Sequence, residues 1–360
     1  MKQLGKMHKK VLVAMSGGVD SSVAAMMIKN EGYDVAGVTM CLGVRDSGAR
    51  VRCCGPAAVD DAKKVCNRLK IPHYVFDYSQ ELEEKVIARF VSEYLRGRTP
   101  NPCVDCNRYL KFGSLLEKTK ILGFDFLATG HYAAIEQSDG GLHLKKPRDR
   151  RKDQTYFLYP IPHDRLGSIL FPLASLTKEE VRKMAKEAAL PVAWKQESQD
   201  ICFVTQKNYQ AFLSERVQDV KPGPILDMQG NMLGEHRGIM FYTIGQRGGL
   251  GISSRTPLYV ISINYEDNRV IVGEKNALKA KGLVAGDLNL FAQNLPREVL
   301  AKIRYRKREA PCTVNLEGKT VSVTFTEEQE AITPGQSVVF YAGDHVLGGG
   351  IIEEVLHGTC

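Results

Sequence analysis

The sequence predicts an α/β protein built on a parallel, doubly wound sheet, with smaller β-rich parts behind it. Short apolar runs alternate with segments of helical periodicity through the first half of the chain, which is typical of βα units. From Lys221 onward, glycine, β-branched residues and closely spaced turns dominate instead. We therefore expect an α/β domain over residues 1–205, a small central domain over 206–281 and an antiparallel β-barrel-like domain over 282–360.

The composition is that of an ordinary soluble globular protein. Of 360 residues, 25% are charged and 43% are hydrophobic, and no apolar run approaches the length of a bilayer span. The basic N-terminus leads into a strand and not into a signal peptide, so we expect a cytoplasmic protein without a membrane segment. The net charge of +8 permits a nucleic-acid partner without requiring one. Nine cysteines in such a chain favour thiol or metal chemistry over a disulfide framework.

The first strand, loop and helix carry the most specific local motif. Val11–Met15 is an apolar run suited to a buried strand, Ser16–Gly18 interrupts it, and helical spacing begins at Asp20. Adjacent glycines before a helix N-terminus favour phosphate binding, to which the hydroxyls of Ser16, Ser21 and Ser22 would add donors. Asp20 would orient a metal ion on the phosphates. The loop is no Walker A motif, because it lacks the G-K-[ST] ending and a lysine of its own. An ordinary βα turn with a serine cap is the alternative.

Further βα units follow. We predict strands at Val35–Cys41 and Ile71–Phe76 and helices at Ala57–Leu69 and Gln80–Leu95. Met40 would lie near the carboxyl end of its strand, either lining an adenine site or packing in the core.

The segment Gly97–Lys111 interrupts this pattern. Two prolines flank Asn101, so we predict an extended chain there and a helix only from about Asn107 to Leu122. Cys103 and Cys106 form a C-x-x-C sequence close to that helix N-terminus. They are candidates for a nucleophilic thiolate, half a metal site or a redox dithiol, and the spacing does not choose among these.

Four later stretches are candidate site segments. Phe126–His131 reads as a strand that ends in Gly130 and His131, the usual position for ligand contacts in such a sheet. Lys145–Lys152 holds six cations in eight residues beside aromatic residues, which suits either RNA or a solvated surface. Cys202 lies between two apolar residues, as an inert buried cysteine also would. Lys302–Arg308 alternates cations with apolar residues, which on a strand would place the cations on one face.

Seven motifs occur in a fixed order along nearly the whole chain. They are S-G-G-V-D-S-S, N-P-C-V-D-C-N, A-T-G-H-Y, K-D-Q-T-Y-F-L, D-I-C-F, Y-T-I-G-Q-R and P-G-Q. The series closely resembles the tRNA-specific 2-thiouridylase family (MnmA/TrmU type), within the PP-loop N-type ATP pyrophosphatases. The resemblance implies a tRNA-uridine 2-sulfurtransferase that adenylates the oxygen of uridine 34 with ATP and transfers sulfur from a cysteine persulfide.

The resemblance also implies roles for individual residues. Cys106 would be the catalytic nucleophile and Cys202 the persulfide carrier. The ATP site would comprise Ala14, Met15, Ser16, Gly17, Gly18, Val19, Asp20, Ser21, Met40 and Gly130. The tRNA site would comprise Asn101, Pro102, Cys103, His131, Lys152, Asp153, Gln154, Arg304, Tyr305 and Gln336. The implied cofactors are ATP and Mg²⁺ with no protein metal centre, and the implied partners are tRNA and a persulfide-carrying sulfur-relay protein or cysteine desulfurase.

Three alternatives stay open at this level. A small-molecule ligase of the same PP-loop superfamily would adenylate a carboxylate or urea oxygen without needing Cys106 or Cys202. An RNA-binding module with a vestigial PP-loop would bind tRNA without turning over ATP. Finally, Cys53, Cys54, Cys103 and Cys106 would together suit an iron–sulfur cluster or zinc, which we do not favour.

Overall fold

The strand β1 (Lys10–Ala14) lies at the centre of a five-stranded parallel sheet in the computed structural model. The structure describes residues 9–43, 56–138, 141–196, 201–204, 208–291 and 295–357. Six further strands of the first half are β2 (Asp34–Cys41), β3 (His73–Asp77), β4 (Phe126–Ala128), β5 (Ala134–Ser138), β6 (Gly141–Lys145) and β7 (Ile169–Leu170). The sheet order is β3–β2–β1–β4–β7, and every pairing in it is parallel, which confirms the predicted doubly wound sheet.

The order of strands explains where the site forms. From β1 the chain proceeds outward to β2 and β3 on one side, and returns to β4 and β7 on the other. The loops that follow β1 and β4 therefore meet at the topological switch point, where parallel α/β sheets bind their ligands. Val11, Leu12 and Val13 are fully buried at this centre, because helices cover both faces.

The helical segments of the described chain vary in length. The α-helices are Val19–Asn30, Pro56–Leu69, Ser79–Leu82, Ala88–Leu95, Pro102–Asp105, Leu116–Ile121, Thr155–Leu158, Lys178–Glu187 and Tyr209–Ser214. Segments of π-helix, Glu83–Ile87 and Cys106–Leu115, join consecutive α-helices, and 3₁₀-helices occur at Arg150–Lys152, His163–Ser168, Pro172–Ser175, Ile239–Phe241 and Lys275–Leu278. Within the described residues, no helix combines the length and apolarity that crossing a membrane requires.

The chain divides into two compact units. The first comprises Met1–Val86, Cys103–Thr205 and Asp344–Val346, and the second comprises Ile87–Pro102, Gln206–Gly343 and Leu347–Cys360. In the first unit, helix Val19–Asn30 packs its buried face on two apolar clusters, one with the sheet and one with helix Lys178–Glu187. The domain boundaries at 205 and 281 remain sequence predictions.

The second unit contains two β structures. A four-stranded sheet has the order β10–β11–β8–β9, with β8 (Gly223–Leu226), β9 (Met232–His236), β10 (Tyr259–Asn264) and β11 (Arg269–Gly273). The second β structure consists of β12 (Lys279–Leu290), β13 (Glu298–Lys302), β14 (Ala310–Glu317), β15 (Thr320–Glu330), β16 (Ser337–Ala342) and β17 (His345–Leu356). Antiparallel pairing of β12 with β17 closes these strands around a core that includes Phe325 and Phe340, which confirms the predicted C-terminal barrel.

One sequence prediction about the C-x-x-C segment is wrong. The helix begins at Pro102 and not near Asn107, so Cys103 and Cys106 lie inside its first turns. Proline is tolerated at the first helical position, because the missing N–H would have no intrahelical partner there. The extended conformation is therefore confined to the residues before Pro102.

The prediction of a strand across Lys302–Arg308 is also wrong. β13 ends at Lys302, and the chain turns with a hydrogen bond from Lys307 N–H to the carbonyl of Arg304 at 3.1 Å. The cations do not share a face, since Lys302 is buried and Arg306 is exposed. The reason is topological: β13 must reverse direction here to pair antiparallel with β14.

Candidate functional site

The glycine loop after β1 is held closed by its own serines. The hydroxyl of Ser21 lies 3.2 Å from the backbone N–H of Ser16 and 3.3 Å from the Ser16 hydroxyl. The hydroxyls of Ser21 and Ser22 donate to the carbonyl of Gly18, at 3.2 and 2.7 Å. Gly17 adopts φ +69°, in the left-handed region that glycine tolerates best. The loop is thus a preformed turn that leads directly into helix Val19–Asn30.

Gly130 brings the end of β4 against this loop. A Cβ at Gly130 would lie 2.6 Å from the backbone nitrogen of Ser21 and 2.8 Å from the carbonyl carbon of Asp20. Only glycine permits so close an approach of two backbones. Met40 lies on neighbouring β2, beyond the last residues paired with β1. The structure therefore brings Gly130 and the loop together and puts Met40 at the same edge of the sheet.

A lysine that sequence reasoning missed contacts the loop acid. Lys178 Nζ lies 2.6 and 2.8 Å from the two carboxylate oxygens of Asp20, and the Tyr132 hydroxyl donates to Asp20 Oδ1 at 3.0 Å. Lys178 is the first residue of helix Lys178–Glu187, which begins with a capping box formed by Thr177 and Glu180. No local sequence signal connects two residues 158 positions apart.

A second lysine that sequence reasoning missed bonds the loop to a neighbouring helix. Lys195 Nζ donates to the carbonyl oxygen of Gly17 at 2.9 Å and to Asp61 Oδ2 at 2.7 Å. This lysine therefore bonds a backbone acceptor of the loop and a carboxylate on helix Pro56–Leu69. By bonding the carbonyl oxygen of Gly17, Lys195 holds the orientation of that peptide, so that the N–H groups of the loop can face a ligand.

The two cysteines of C-x-x-C differ in exposure. Cys106 is buried and begins the π-helical segment, whereas Cys103 is exposed. Burial raises the pKa of both thiols, and the charge of Lys111 opposes that effect at each. Sequence reasoning expected the helix N-terminus to activate the thiol and did not single out Lys111.

His131 joins the cysteine-bearing helix to the strand end. Lys111 Nζ lies 3.5 Å from His131 Nε2, and Thr129 Oγ1 lies 2.8 Å from His131 Nδ1. Burial, together with the Lys111 charge, holds the pKa of His131 well below its ordinary value. The ring is therefore neutral at physiological pH, donating at Nδ1 and accepting at Nε2. It cannot offer a positive charge to a phosphate.

The K-D-Q segment is bound to the same region through Tyr132. Gln154 Oε1 accepts from the backbone N–H of Tyr132 at 2.8 Å, and Gln154 N–H donates to the Tyr132 carbonyl at 3.0 Å. Asp153 is buried and accepts from the N–H and hydroxyl of Thr155, at 2.9 and 2.7 Å. The structure therefore gives Asp153 and Gln154 internal hydrogen-bonding roles, while Lys152 lies beside them in the 3₁₀-helix.

The basic run 145–152 carries several ion pairs within the first unit. Lys145 pairs with Glu136, Arg148 with Glu180, Arg150 with Asp344, and Arg151 with both Asp149 and Glu179. Most of these carboxylates are at least partly exposed. Exposed pairs contribute only about 0–1 kcal/mol each, so polyanion phosphates can compete for the cations.

Cys202 lies on an exposed turn. A hydrogen bond from Val204 N–H to the Ile201 carbonyl at 3.0 Å closes this turn, and Phe203 is buried beneath it. The interpretation of Cys202 as an inert buried thiol is therefore wrong, because its neighbour Phe203 takes the core position.

The remaining predicted tRNA residues belong to the second unit. Gln336 Nε2 donates to the carbonyl oxygens of Thr99 and Pro100, at 2.8 and 3.5 Å, directly before Asn101 and Pro102. Arg304 donates to the carbonyl of Ile244 at 3.2 Å and also bonds the hydroxyl of Thr333. The ammonium of Lys302 lies over the ring of Tyr305, 5.6 Å from the ring centroid. Gln336 and Arg304 thus bind neighbouring backbone within their own unit.

The two polar atoms of the Asn107 side chain, next to Cys106, differ in their hydrogen bonding. Its Nδ2 donates to the carbonyl of Phe157 at 2.9 Å, whereas Oδ1 is the one buried side-chain polar atom in the described chain without a hydrogen-bond partner. The described residues also contain no group of three or more His, Cys, Asp or Glu arranged to hold a metal ion. Cys53 and Cys54 lie outside the described residues.

Comparisons with known proteins cover almost the whole chain. Family profiles match the tRNA methyl transferase HUP domain at residues 9–206, the tRNA methyl transferase PRC-barrel domain at 210–274 and the aminomethyltransferase beta-barrel domain at 280–352. The chain is 59% identical over 351 residues to tRNA-specific 2-thiouridylase MnmA 1 of Syntrophus aciditrophicus, covering 98% of this chain and 94% of the relative. It is 50% identical over 360 residues to tRNA-specific 2-thiouridylase MnmA of Carboxydothermus hydrogenoformans, covering 97% and 99%. A solved structure of the U34-tRNA thiolase NcsA from Methanococcus maripaludis matches with TM-score 0.37 and 18% identity, covering 60% of this chain and 66% of the other.

Proposed function

Because this chain belongs to the tRNA-specific 2-thiouridylase family, we propose that it catalyses the ATP-dependent 2-thiolation of uridine 34 in tRNA, in the cytoplasm. One observation carries the proposal: the short segment Gly130–Tyr132 contacts both the glycine loop and the lysine of the cysteine-bearing helix. A site that activates a base oxygen with ATP and then delivers sulfur needs both kinds of group in one place.

The first step is activation of the uridine oxygen. The O2 atom of uridine is a poor leaving group, so its attack on the α-phosphorus of ATP, with release of pyrophosphate, converts it into one. The loop Ser16–Ser21 would bind the phosphates through its N–H groups and hydroxyls, and helix Val19–Asn30 adds its positive end. Gly130 supports this by holding β4 against Asp20 and Ser21.

A magnesium ion suits the oxygen atoms that Asp20 and the phosphates would offer at this loop. Asp20 offers carboxylate oxygens, which Mg²⁺ prefers, and the polyphosphate would supply others. Asp20 would hold the ion, and Mg²⁺ supplies charge neutralisation of the phosphates when bound. An iron–sulfur cluster or zinc on Cys53, Cys54, Cys103 and Cys106 stays an alternative that we do not favour.

The second step is transfer of sulfur. A persulfide on Cys202, which is exposed and so accessible to a donor protein, would be attacked by the thiolate of Cys106. A Cys106–Cys202 disulfide then forms and hydrosulfide leaves, displaces AMP from C2 of the base and yields 2-thiouridine. Direct attack of the persulfide on C2, assisted by Cys106, is the variant of this step. An external dithiol must reduce the disulfide before the next turnover.

Two macromolecular partners belong to the proposal. The tRNA would present a single-stranded anticodon loop whose base can be turned into the site. A persulfide-carrying relay protein or cysteine desulfurase would load Cys202. The predicted contacts at Asn101–Cys103, His131, Lys152–Gln154, Arg304, Tyr305 and Gln336 are part of this proposal.

The test is a thiolation assay with ATP, magnesium, unmodified tRNA and a persulfide or sulfide donor, with nucleosides analysed by mass spectrometry. We expect 2-thiouridine from the native chain, none from Cys106→Ala, and none from Cys202→Ala with a persulfide donor. Cys312→Ala, which removes a buried barrel thiol, is the matched control and should retain activity. AMP formation without thiolated tRNA would favour a small-molecule ligase, and tRNA binding without AMP formation would favour a binding module.

A further inference from the structure

The glycine loop combines an anion-binding geometry with an anionic side chain. Its sequence S-G-G-V-D-S-S contains Asp20 and no cation, yet the proposed ligand is a polyphosphate. A carboxylate in the loop repels phosphate unless a cation compensates it. The structure places a cation at that position: Lys178 Nζ, 2.6 and 2.8 Å from the Asp20 oxygens.

Lys178 is fixed from several directions. Its backbone N–H donates to Asp149 Oδ2 at 3.0 Å, and the Thr177–Glu180 capping box sets the start of its helix. The side chain is only 7% exposed, with its ammonium 5.9 Å from the centroid of the Tyr132 ring. A lysine normally keeps its ammonium in water, because desolvation and lost side-chain freedom are both unfavourable. Burial at the acid of the loop therefore suggests a role beyond that of a surface ion pair.

We propose that Lys178 is a phosphate-binding residue of this nucleotide site, contacting the β- or γ-phosphate of ATP. The inference rests on the proposed function. When the uridine oxygen bonds to the α-phosphorus, the α–β bond breaks and pyrophosphate leaves with the bonding electrons. The Lys178 ammonium stabilises the charge that develops on that leaving group, which is where a fixed cation favours the reaction.

Lys195 is a less suitable candidate for this role, although it also contacts the loop. Its ammonium donates to the carbonyl oxygen of Gly17 and to Asp61, so it lies on the side of the loop where the backbone presents a carbonyl and not its N–H groups. Lys178 instead bonds the side chain of Asp20, in the first turn of the helix whose N-terminus faces the loop. An ammonium can pass from carboxylate to phosphate oxygen by a small movement, since both are charged oxygen acceptors.

The experiment measures the affinity of the full chain for ATP and for AMP by isothermal titration calorimetry, in EDTA and again with magnesium. EDTA separates the lysine from the metal ion. AMP lacks the β- and γ-phosphates, so it reports damage to the loop without reporting the proposed contact. The variants are Lys178→Met and Lys178→Arg, with Lys183→Met as matched control on the same helix, where Lys183 pairs only loosely, at 3.7 Å, with exposed Glu187.

We expect Lys178→Met to weaken ATP binding about tenfold or more while AMP affinity changes less than about twofold. Lys178→Arg should retain most ATP affinity, and Lys183→Met should match the native chain. Lys178→Gln, which keeps a polar group beside Asp20, tests the same ATP-to-AMP ratio if Lys178→Met does not fold.

Two results would overturn the inference while leaving the proposed function standing. Equal weakening of ATP and AMP binding would mean that Lys178 only supports the loop through Asp20, and unchanged ATP binding would mean that it contacts no phosphate. A native chain that binds neither nucleotide would overturn the proposed function as well, and is thereby distinguished from both.

Discussion

The ammonium of Lys111 lies 3.5 Å from Nε2 of His131, and the same positive charge lowers the thiol pKa values of Cys103 and Cys106 against the effect of burial. Burial lowers the pKa of His131 and Lys111 lowers it further, so the same cation that favours the thiolates also helps to keep the imidazole neutral. Since burial raises the pKa of Cys106 overall, its thiolate fraction and its reactivity must increase as the pH rises through that pKa.

Replacing Lys111 should slow the chemistry of Cys106. We expect Lys111→Met to shift the pH dependence of Cys106 alkylation toward higher pH, because the neighbouring positive charge is lost. A shift of one pKa unit lowers the rate about tenfold at pH values below the pKa. The measurement is iodoacetamide modification of Cys106 followed by mass spectrometry across a pH series. Lys111→Arg should stay near the native curve, and Lys120→Met is the control for removing an exposed lysine, from the following α-helix Leu116–Ile121. An unmoved curve in Lys111→Met would refute the role.

The two glycines of the loop should respond differently to alanine. Gly17 has φ +69°, and a Cβ there would lie 2.4 Å from the carbonyl oxygen of Ala58. Gly18 has φ −101°, and its nearest contact would be Ser16 Oγ at 3.4 Å. We expect Gly17→Ala to reduce ATP affinity about tenfold or more, since both strain and collision deform the turn, and Gly18→Ala to be much milder. Equal effects in calorimetric titrations with ATP would contradict this account.

Gln336 should contribute to stability more than to RNA contact. Its amide donates to the carbonyl oxygens of Thr99 and Pro100. In Gln336→Glu a carboxylate oxygen would replace the donor, so that three acceptor oxygens would lie together without a hydrogen between them. We expect Gln336→Glu to lower the free energy of unfolding by about 1–3 kcal/mol and Gln336→Ala by less. Chemical denaturation measures this, with Gln329→Ala as control because that amide bonds only a local carbonyl. Weakened tRNA binding in Gln336→Ala at native stability would instead favour a direct RNA contact.

The basic run should serve RNA and add little stability. Arg150 pairs with Asp344, and both side chains are largely exposed, so Arg150→Ala should change the free energy of unfolding by less than about 1 kcal/mol. We expect the same variant to bind tRNA more weakly and to reduce the slope of log affinity against log salt by about one. Lys319→Ala, which removes an equal charge from a hairpin of the barrel, should leave the slope unchanged. If both variants change it equally, net charge and not the run is responsible.

The sequence predicts those features that depend on neighbouring residues. The strand, loop and helix around Gly17 and the C-terminal antiparallel barrel are confirmed, because spacing and local propensity determine most of each. The helix start at Pro102 escaped prediction because proline excludes helix in most positions and favours it only at the first.

The lysines of the site could not be found from local pattern. Lys178 meets Asp20 across 158 positions, and Lys195 meets Gly17 across 178. Residues 178–195 contain four lysines, and only the packing of helix Lys178–Glu187 and the chain after it selects which ammonium groups reach the loop. The turn after Lys302 has the same explanation, since alternation predicts a strand but not where the strand must reverse.

The second unit includes Ile87–Pro102, far ahead of its other residues in the chain, and this has a consequence for biosynthesis. Tyr94 stacks on Tyr209 with ring centroids 4.7 Å apart, Phe90 contacts Phe212 at 6.0 Å, and Thr99 is held by Gln336, 237 positions later. A ribosome-bound nascent chain that ends near residue 205 therefore carries two aromatic side chains whose partners have not yet been made. Those rings are available to chaperones and proteases until residues 209–212 have been made, and Thr99 lacks its partner until synthesis has passed Gln336. We therefore expect the segment Ile87–Pro102 to reach its final protease resistance only after the barrel strands have been made.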